Sequence, residues 1–358
     1  MTEKRSGAKL DDRSALEAAD PSGMLGLAGS LGTQVRKGFE TAASSPELPS
    51  AEGLRSIAVC GMGGSGVAGD VLRSLYAGRL QLPIAVVKGY ELPEFCGRDT
   101  LVFAMSFSGN TEETLAVYRE AVARGCRVVA VSAGGELAAL AETDEVARVP
   151  LPSHVPVPRA AVGYLATAPL GVLHSMGLVP HGPEDVAEVA TILDDLAAEL
   201  GPDVPEGQNE AKDVAAWLHD RTPVIWGSEG VAEAPALRWK TQFNENAKVP
   251  AWSGVLPELD HNQIEGWSAE AGFSYALIVL RHGQEHPRVA ARIDASLQAI
   301  AASGLDARKV WAHGSQPMEE LFSLIMLGDF TSIYLALLSG VDPTPIPVLS
   351  SLKERLRG

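Results

Sequence analysis

Two loops of small and hydroxylated residues hold the most legible chemistry in the sequence. Gly61, Gly63 and Gly66 satisfy a GxGxxG pattern directly after the apolar run SIAVC (56–60). Glycines in such a loop let backbone N–H groups approach an anion at a helix N-terminus, where the helix dipole favours negative charge. Further on, LVFAM (101–105) leads into SFSGNTEETL, where Ser106, Ser108 and Thr111 place three hydroxyls within six residues. Ligands of parallel sheets collect at the carboxyl ends of adjacent strands, so the two loops together read as a clamp for a phosphate monoester. The hydroxyl cluster also fits helix capping, with Asn110 as the N-cap and Glu113 three residues later. Capping and binding are compatible.

Two other chemistries are disfavoured. A dinucleotide site wants an acidic residue at the end of the second strand to hold the ribose hydroxyls, but PIAVV (83–87) ends in Lys88 and Gly89, which counts against NAD. His282 and His286 in RHGQEHP match the HxxEH zinc pattern, yet that pattern needs a helix. Here the pair directly follows an apolar strand and is bracketed by Gly283 and Pro287, so it reads as a loop pair and no metal site is expected.

The elements that must position these loops are those of an α/β protein. SIAVC, PIAVV, LVFAM and CRVVAVS (126–132) read as buried strands separated by helical sequence, the signature of βαβ units and a parallel sheet. After Val149 the proline-rich PLPSHVPVPR reads as an inter-domain connection, with a boundary close to Pro158. The second half repeats the grammar in PVIWG (223–227), SYALIVL (274–280) and VWAHG (310–314). Two similar doubly wound α/β domains are expected, over 1–157 and 158–358. Helices are expected over 183–200 and 209–219, and an amphipathic one at the C-terminus in PVLSSLKERLRG.

Composition narrows the function further. The 358 residues are 46% hydrophobic and 21% charged, with 29 basic and 45 acidic residues and a net charge of −16. So acidic a surface repels nucleic acid and anionic membranes. Three cysteines, Cys60, Cys96 and Cys126, lie in or beside apolar runs with no CxxC pair, as expected of reduced thiols in a cytoplasmic protein. The run from Leu321 to Val341 is nearly long enough to span a bilayer, but Asp329 lies near its middle and favours a helix buried in protein.

GMGGSGVAGD followed by SFSGNTEET resembles the sugar isomerase (SIS) domain, which binds phosphosugars. The resemblance extends through LDDRSALEAADPSGML, PRAAVGY, RWKTQFNENAKVPAW, PELDHNQIEGW and GDFTSIYLALLSGVDPTP to the bifunctional phosphoglucose/phosphomannose isomerase family, built from two SIS domains. That family implies interconversion of fructose 6-phosphate with glucose 6-phosphate and mannose 6-phosphate, without metal or nucleotide cofactor, usually as a homodimer. The resemblance implies phosphosugar contacts from Gly64, Ser65, Ser106, Ser108 and Thr111. It makes Glu245 the base that moves a proton between C1 and C2, and His261, contributed across a dimer interface, a ring-opening group. Lys353 is the second ring-opening residue and Arg159 the cation facing the substrate.

Those types suit the chemistry: a partly buried carboxylate is a competent base, histidine titrates in the range ring opening needs, and a fixed cation stabilises an enediolate. In the family a threonine is associated with acceptance of mannose 6-phosphate, and Thr344 is the nearest candidate. Departures from the usual pattern are PSHVPVPR in place of a glycine-containing turn, Glu136 where lysine is common and Asp260 where asparagine is usual. A phosphosugar-binding regulator on the same fold is the competing reading, but it has no use for Glu245, His261 and Arg159 together.

Overall fold

The apolar runs become strands because both of their faces are covered. Ile57 to Cys60 and Leu101 to Met105 are buried without a break, the pattern of a parallel sheet with helices on both sides. The computed structural model describes residues 9–267, 274–301 and 304–356; the charged N-terminal residues and the last two lie outside them. The first unit comprises α1 (Arg13–Ala19), α2 (Met24–Gly29), α3 (Leu31–Ala43), β1 (Ser56–Gly61), α4 (Gly63–Tyr76), β2 (Ile84–Val87), β3 (Thr100–Met105), α5 (Glu112–Ala123), β4 (Arg127–Ser132), α6 (Gly135–Thr143) and β5 (Ala147–Pro150). Its five strands are parallel in the order β2-β1-β3-β4-β5. The glycine and hydroxyl loops therefore leave the carboxyl ends of neighbouring strands.

The chain then runs through α7 (Val162–Ser175), α8 (Pro183–Leu200) and α9 (Glu210–Leu218). A second parallel sheet, ordered β7-β6-β8-β9, follows from β6 (Thr222–Ser228), β7 (Trp252–Leu256), β8 (Tyr275–Arg281) and β9 (Asp306–Trp311). Its helices are α10 (Glu233–Gln242), α11 (Pro287–Ile300), α12 (Pro317–Leu338) and the terminal α13 (Pro347–Leu356). The fold is α/β with two doubly wound parallel sheets, as the sequence predicts.

One large apolar cluster joins the inner faces of both sheets through α3, α4, α7, α8, α10 and α12. Smaller clusters close the outer faces, one under α5 and α6 and one under α11. The membrane-length run is α12, which lies almost wholly buried between the sheets. Asp329 near its middle is 5% exposed, and Arg238 from α10 meets it with two bonds of 2.9 and 2.7 Å. A buried carboxylate is tolerated only with such a partner. One residue earlier, Gly328 leaves room for the Trp239 indole, whose Nε1–H donates to the Leu324 carbonyl at 2.7 Å; a Cβ on Gly328 would stand 2.3 Å from that nitrogen.

Several local expectations are corrected. The strand expected over 310–314 is Asp306–Trp311, four residues earlier, because this edge strand buries only Val310 and shows no apolar run. Two further edge strands, β5 and β7, carry too few buried residues to be seen. The N-cap of α5 is Thr111, not Asn110. Asn110 instead accepts the Glu136 N–H at 3.0 Å, serving the first turn of α6. His282 and His286 diverge: His282 Nε2 meets Ser228 Oγ at 2.7 Å, whereas His286 is the N-cap of α11 and accepts from Arg288 N–H.

Candidate active site

The glycine and hydroxyl loops are held together by contacts between them. Ser65, in the first turn of α4, accepts a hydrogen bond from the Phe107 N–H at 3.0 Å, which ties the glycine loop to the hydroxyl loop. Ser106 is fully buried and its Oγ pairs with Thr111 Oγ1 at 2.8 Å. Ser108 is exposed at the loop tip, where its Oγ accepts the Asn110 N–H at 3.2 Å. The N-termini of α4 and α5 lie at adjacent strand ends, so their dipoles favour the same anion.

Arg159 sits against the other side of the glycine loop. A Cβ on Gly64 would stand 3.0 Å from the Arg159 amide nitrogen and 3.1 Å from the Pro158 carbonyl carbon. Pro158 opens a short 3₁₀ turn (Pro158–Ala161) that delivers Arg159 inward at 2% exposure. Its Nε donates to Asn246 Oδ1 at 2.7 Å, and Nη2 donates to the carbonyls of Pro343 and Thr344 at 2.8 and 2.7 Å. Nη1 faces Glu245 Oε2 at 3.4 Å and is the one nitrogen left to meet a ligand. Burial pushes the guanidinium down from its ordinary value while Glu245 opposes the shift, and an arginine remains charged under both influences.

Glu245 lies on a π-helical turn (Phe243–Ala247) that continues α10, not at a simple helix end. Such a wide turn re-aims side chains and often marks a functional site. The Glu245 side chain is 29% exposed. It opens into a cleft of about 400 Å³ lined also by Asn244, Lys248 and the apolar residues of α13 and its lead-in, among them Ile346, Val348 and Leu352. A second layer fixes the first. Asn246 Nδ2 donates to Ser332 Oγ on α12 at 3.0 Å, and Arg238, already paired with Asp329, donates to the Arg159 carbonyl at 2.8 Å.

Arg159, Glu245 and Gly64 are thus brought together, and Ser65 joins them to Ser106 and Thr111. His261 and Lys353 are not. His261 is exposed on a 3₁₀ turn (Glu258–His261) after β7 and makes no hydrogen bond or ion pair among the described residues. Lys353 is exposed on α13 and does not line the cleft, although its neighbour Leu352 does. The acidic departures are absorbed locally. Asp260 turns to α11, where it accepts from Ser296 at 2.8 Å and lies 3.5 Å from Arg292, and Glu136 pairs with Arg119.

Sequence reasoning singled out Thr344 but missed Asn246, Lys248 and the Pro343 and Thr344 carbonyls as parts of the site. Asn246 sits beside Glu245 as one more polar residue, and only its burial distinguishes it. The Thr344 Oγ1 is buried with no hydrogen-bond partner.

Family models agree with the two sheets: one for the SIS domain matches residues 53–175, and one for the bacterial phospho-glucose isomerase C-terminal SIS domain matches 207–356. The chain is 35% identical to a bifunctional phosphoglucose/phosphomannose isomerase of Caldicellulosiruptor bescii over 91% of this chain and 96% of that one. It is 32% identical to a protein of the same name from Aquifex aeolicus, over 85% and 91% of the two chains. Among solved structures, a hypothetical protein from Thermus thermophilus superposes with a TM-score of 0.74 at 17% identity, covering 96% of this chain and 94% of the other. That last likeness is one of fold.

Proposed function

This chain belongs to the bifunctional phosphoglucose/phosphomannose isomerase family, and we propose that it interconverts fructose 6-phosphate with glucose 6-phosphate and mannose 6-phosphate through an enediol, using its own side chains without metal or nucleotide. The observation that carries this reading is the half-buried Glu245 carboxylate 3.4 Å from the buried Arg159, whose backbone touches the glycine loop. A binding protein needs the loops alone, whereas a base beside a fixed cation at the edge of a phosphate clamp serves proton transfer.

In this reading the phosphate is held by the Gly64–Ser65 turn with Ser106, Ser108 and Thr111, and the open-chain sugar extends towards Glu245. Glu245 takes a proton from C1 of the ketose while O2 gains one, giving the enediol. The same carboxyl then returns a proton to C2, and the hydroxyl proton at O1 is lost as the aldehyde forms. Negative charge developing on the substrate oxygens meets Nη1 of Arg159. Return to one face of C2 gives the glucose epimer and to the other the mannose epimer. Thr344, whose carbonyl Arg159 holds and whose hydroxyl has no partner, is the candidate for that choice.

Ring opening falls to His261 and Lys353. The exposure of His261 and its lack of partners within the described chain support its delivery to the site of a second copy, in a homodimer. We assign the N-terminal domain to 1–157 and the C-terminal domain, with its connecting helices, to 158–358. Unpaired Cys60, Cys96 and Cys126 support a reducing, cytoplasmic setting. The test is a coupled assay with fructose 6-phosphate that detects glucose 6-phosphate and mannose 6-phosphate separately, after treatment with a chelator. Both products are expected, undiminished by chelation. Loss of activity on chelation with recovery on added zinc would overturn the metal-free mechanism.

A further inference from the structure

The backbone at Lys248 is left-handed, with φ +58 and ψ 30, at the end of the π-helical turn that carries Glu245. Glycine or asparagine is the ordinary occupant of such a C-terminal cap, and a lysine there is held against a steric cost. Its side chain accounts for the choice. The Nζ lies within hydrogen-bond reach of four backbone carbonyls: Glu245 at 2.7 Å, Asn246 at 3.2 Å, and Asp342 and Pro343 at 3.1 Å each. Two belong to the Glu245 turn and two to the loop that holds Thr344. Arg159 reaches the same loop from the other side, through the carbonyls of Pro343 and Thr344.

We propose that Lys248 is a positioning residue for isomerisation, an ammonium staple that fixes the carbonyl side of the Glu245 turn to the Asp342–Thr344 loop and so sets the relation between the base and Arg159. The inference rests on the isomerase reading above. With three N–H donors taken by carbonyls, Lys248 is not itself the acid, the base or a phosphate ligand. Its neighbours decide when the staple holds. The charged groups facing it are Arg159 from the 3₁₀ turn, Glu245 on its own turn and Asp342 from the loop, while the segment of α13 across the cleft presents apolar side chains. Burial, and then the Arg159 charge, push the ammonium down to about 8. Protonated Lys248 donates three N–H bonds, so the staple is complete below that value and weakens as pH rises through it.

The experiment compares wild type, Lys248→Met and Lys248→Gly in kcat, KM, their pH profiles and Tm, with fructose 6-phosphate as substrate. Wild type is expected to lose kcat as pH rises past about 8. Both variants are expected to lose kcat about 10- to 100-fold near neutral pH, as for a misplaced base, to lose that alkaline limb, and to show a smaller change in KM. Lys248→Gly is expected to keep a near wild-type Tm, because relief of the left-handed backbone offsets the lost hydrogen bonds. Unimpaired kcat in both variants, a persisting alkaline limb, or kcat that falls only in step with Tm in both overturns the staple. An inactive wild type overturns the isomerase reading and the staple with it, whereas an active wild type with unimpaired variants overturns the staple alone.

Discussion

Gly64 lies directly against Arg159: a methyl group placed on the glycine would stand 3.0 Å from the arginine amide nitrogen and 3.2 Å from its Cα. The glycine loop and Arg159 are therefore one packed unit, and the spacing between them is set by backbone contact. Gly64→Ala is expected to push Pro158–Arg159 back by a few tenths of an ångström. An overpacked contact of this kind costs about 1–3 kcal/mol, and the displaced arginine should lower kcat/KM on the order of 10-fold or more. Steady-state kinetics and a thermal melt on the same preparation check both. Wild-type kcat/KM in Gly64→Ala would show that the loop and Arg159 move independently.

Ser106 and Thr111 share one hydrogen bond of 2.8 Å, so each hydroxyl holds the other in place. Replacing either by Ala should raise KM for the phosphosugar more than it lowers kcat, since a phosphate far from C1 and C2 is held alike in ground and transition states. The double variant should lose less than the sum of the singles, because the first substitution already frees the second hydroxyl. Titration of fructose 6-phosphate with each variant decides the matter, and unchanged affinity in both singles removes the two residues from the phosphate site.

In the proposed mechanism the roles of Glu245 and His261 separate by substrate form. Glu245→Gln keeps the shape of the side chain but removes the base. It should suppress exchange of the C1 or C2 hydrogen with solvent by about 100- to 10,000-fold, as read by NMR. His261→Ala should slow turnover of the cyclic sugar and spare more of the activity on the open-chain fraction. Mixed homodimers supply a further check, because a His261 delivered in trans lets one intact site form from a Glu245→Gln and a His261→Ala subunit. Activity that neither parent shows is expected on mixing after dissociation, and its absence would place His261 in its own subunit's site.

His282 gives the acid side of the stability profile. It is buried beside Ser228, with its Nδ1 unpartnered and Glu320 3.9 Å away, and burial pushes it down from 6.5 to about 4. The unfolded chain then binds a proton that the folded chain refuses between those values, so stability is complete above pH 6.5 and falls as pH drops towards 4. The loss from this group alone is up to about 3 kcal/mol. Thermal melts from about pH 7 to about pH 4 should show a shallower decline in His282→Gln than in wild type. Parallel declines would mean that other groups carry the acid sensitivity.

The sequence alone determined the α/β class, the two sheets, the central strands and the glycine and hydroxyl loops at adjacent strand ends. Each of these follows from neighbours in the chain: an apolar run long enough to be covered on both faces, a glycine where the backbone must turn, a hydroxyl at the next strand end. The edge strands β5 and β7 escaped, and β9 was expected four residues too late, because a half-covered strand buries too few residues to stand out.

Tertiary structure decided what the polar residues of the site do. Arg159 meets Asn246 across 87 positions and the Pro343 carbonyl across 184, and no periodicity reports a bond between residues so far apart. An arginine at a helix entry reads equally as surface or core until its partners are known. Lys248 is likewise ordinary in sequence, and only the left-handed backbone and the four carbonyls around its Nζ single it out. Local pattern fixes which elements form because their hydrogen bonds are mostly near in sequence. A site assembled by desolvated charges depends on which distant backbone groups remain unpaired after the elements have packed.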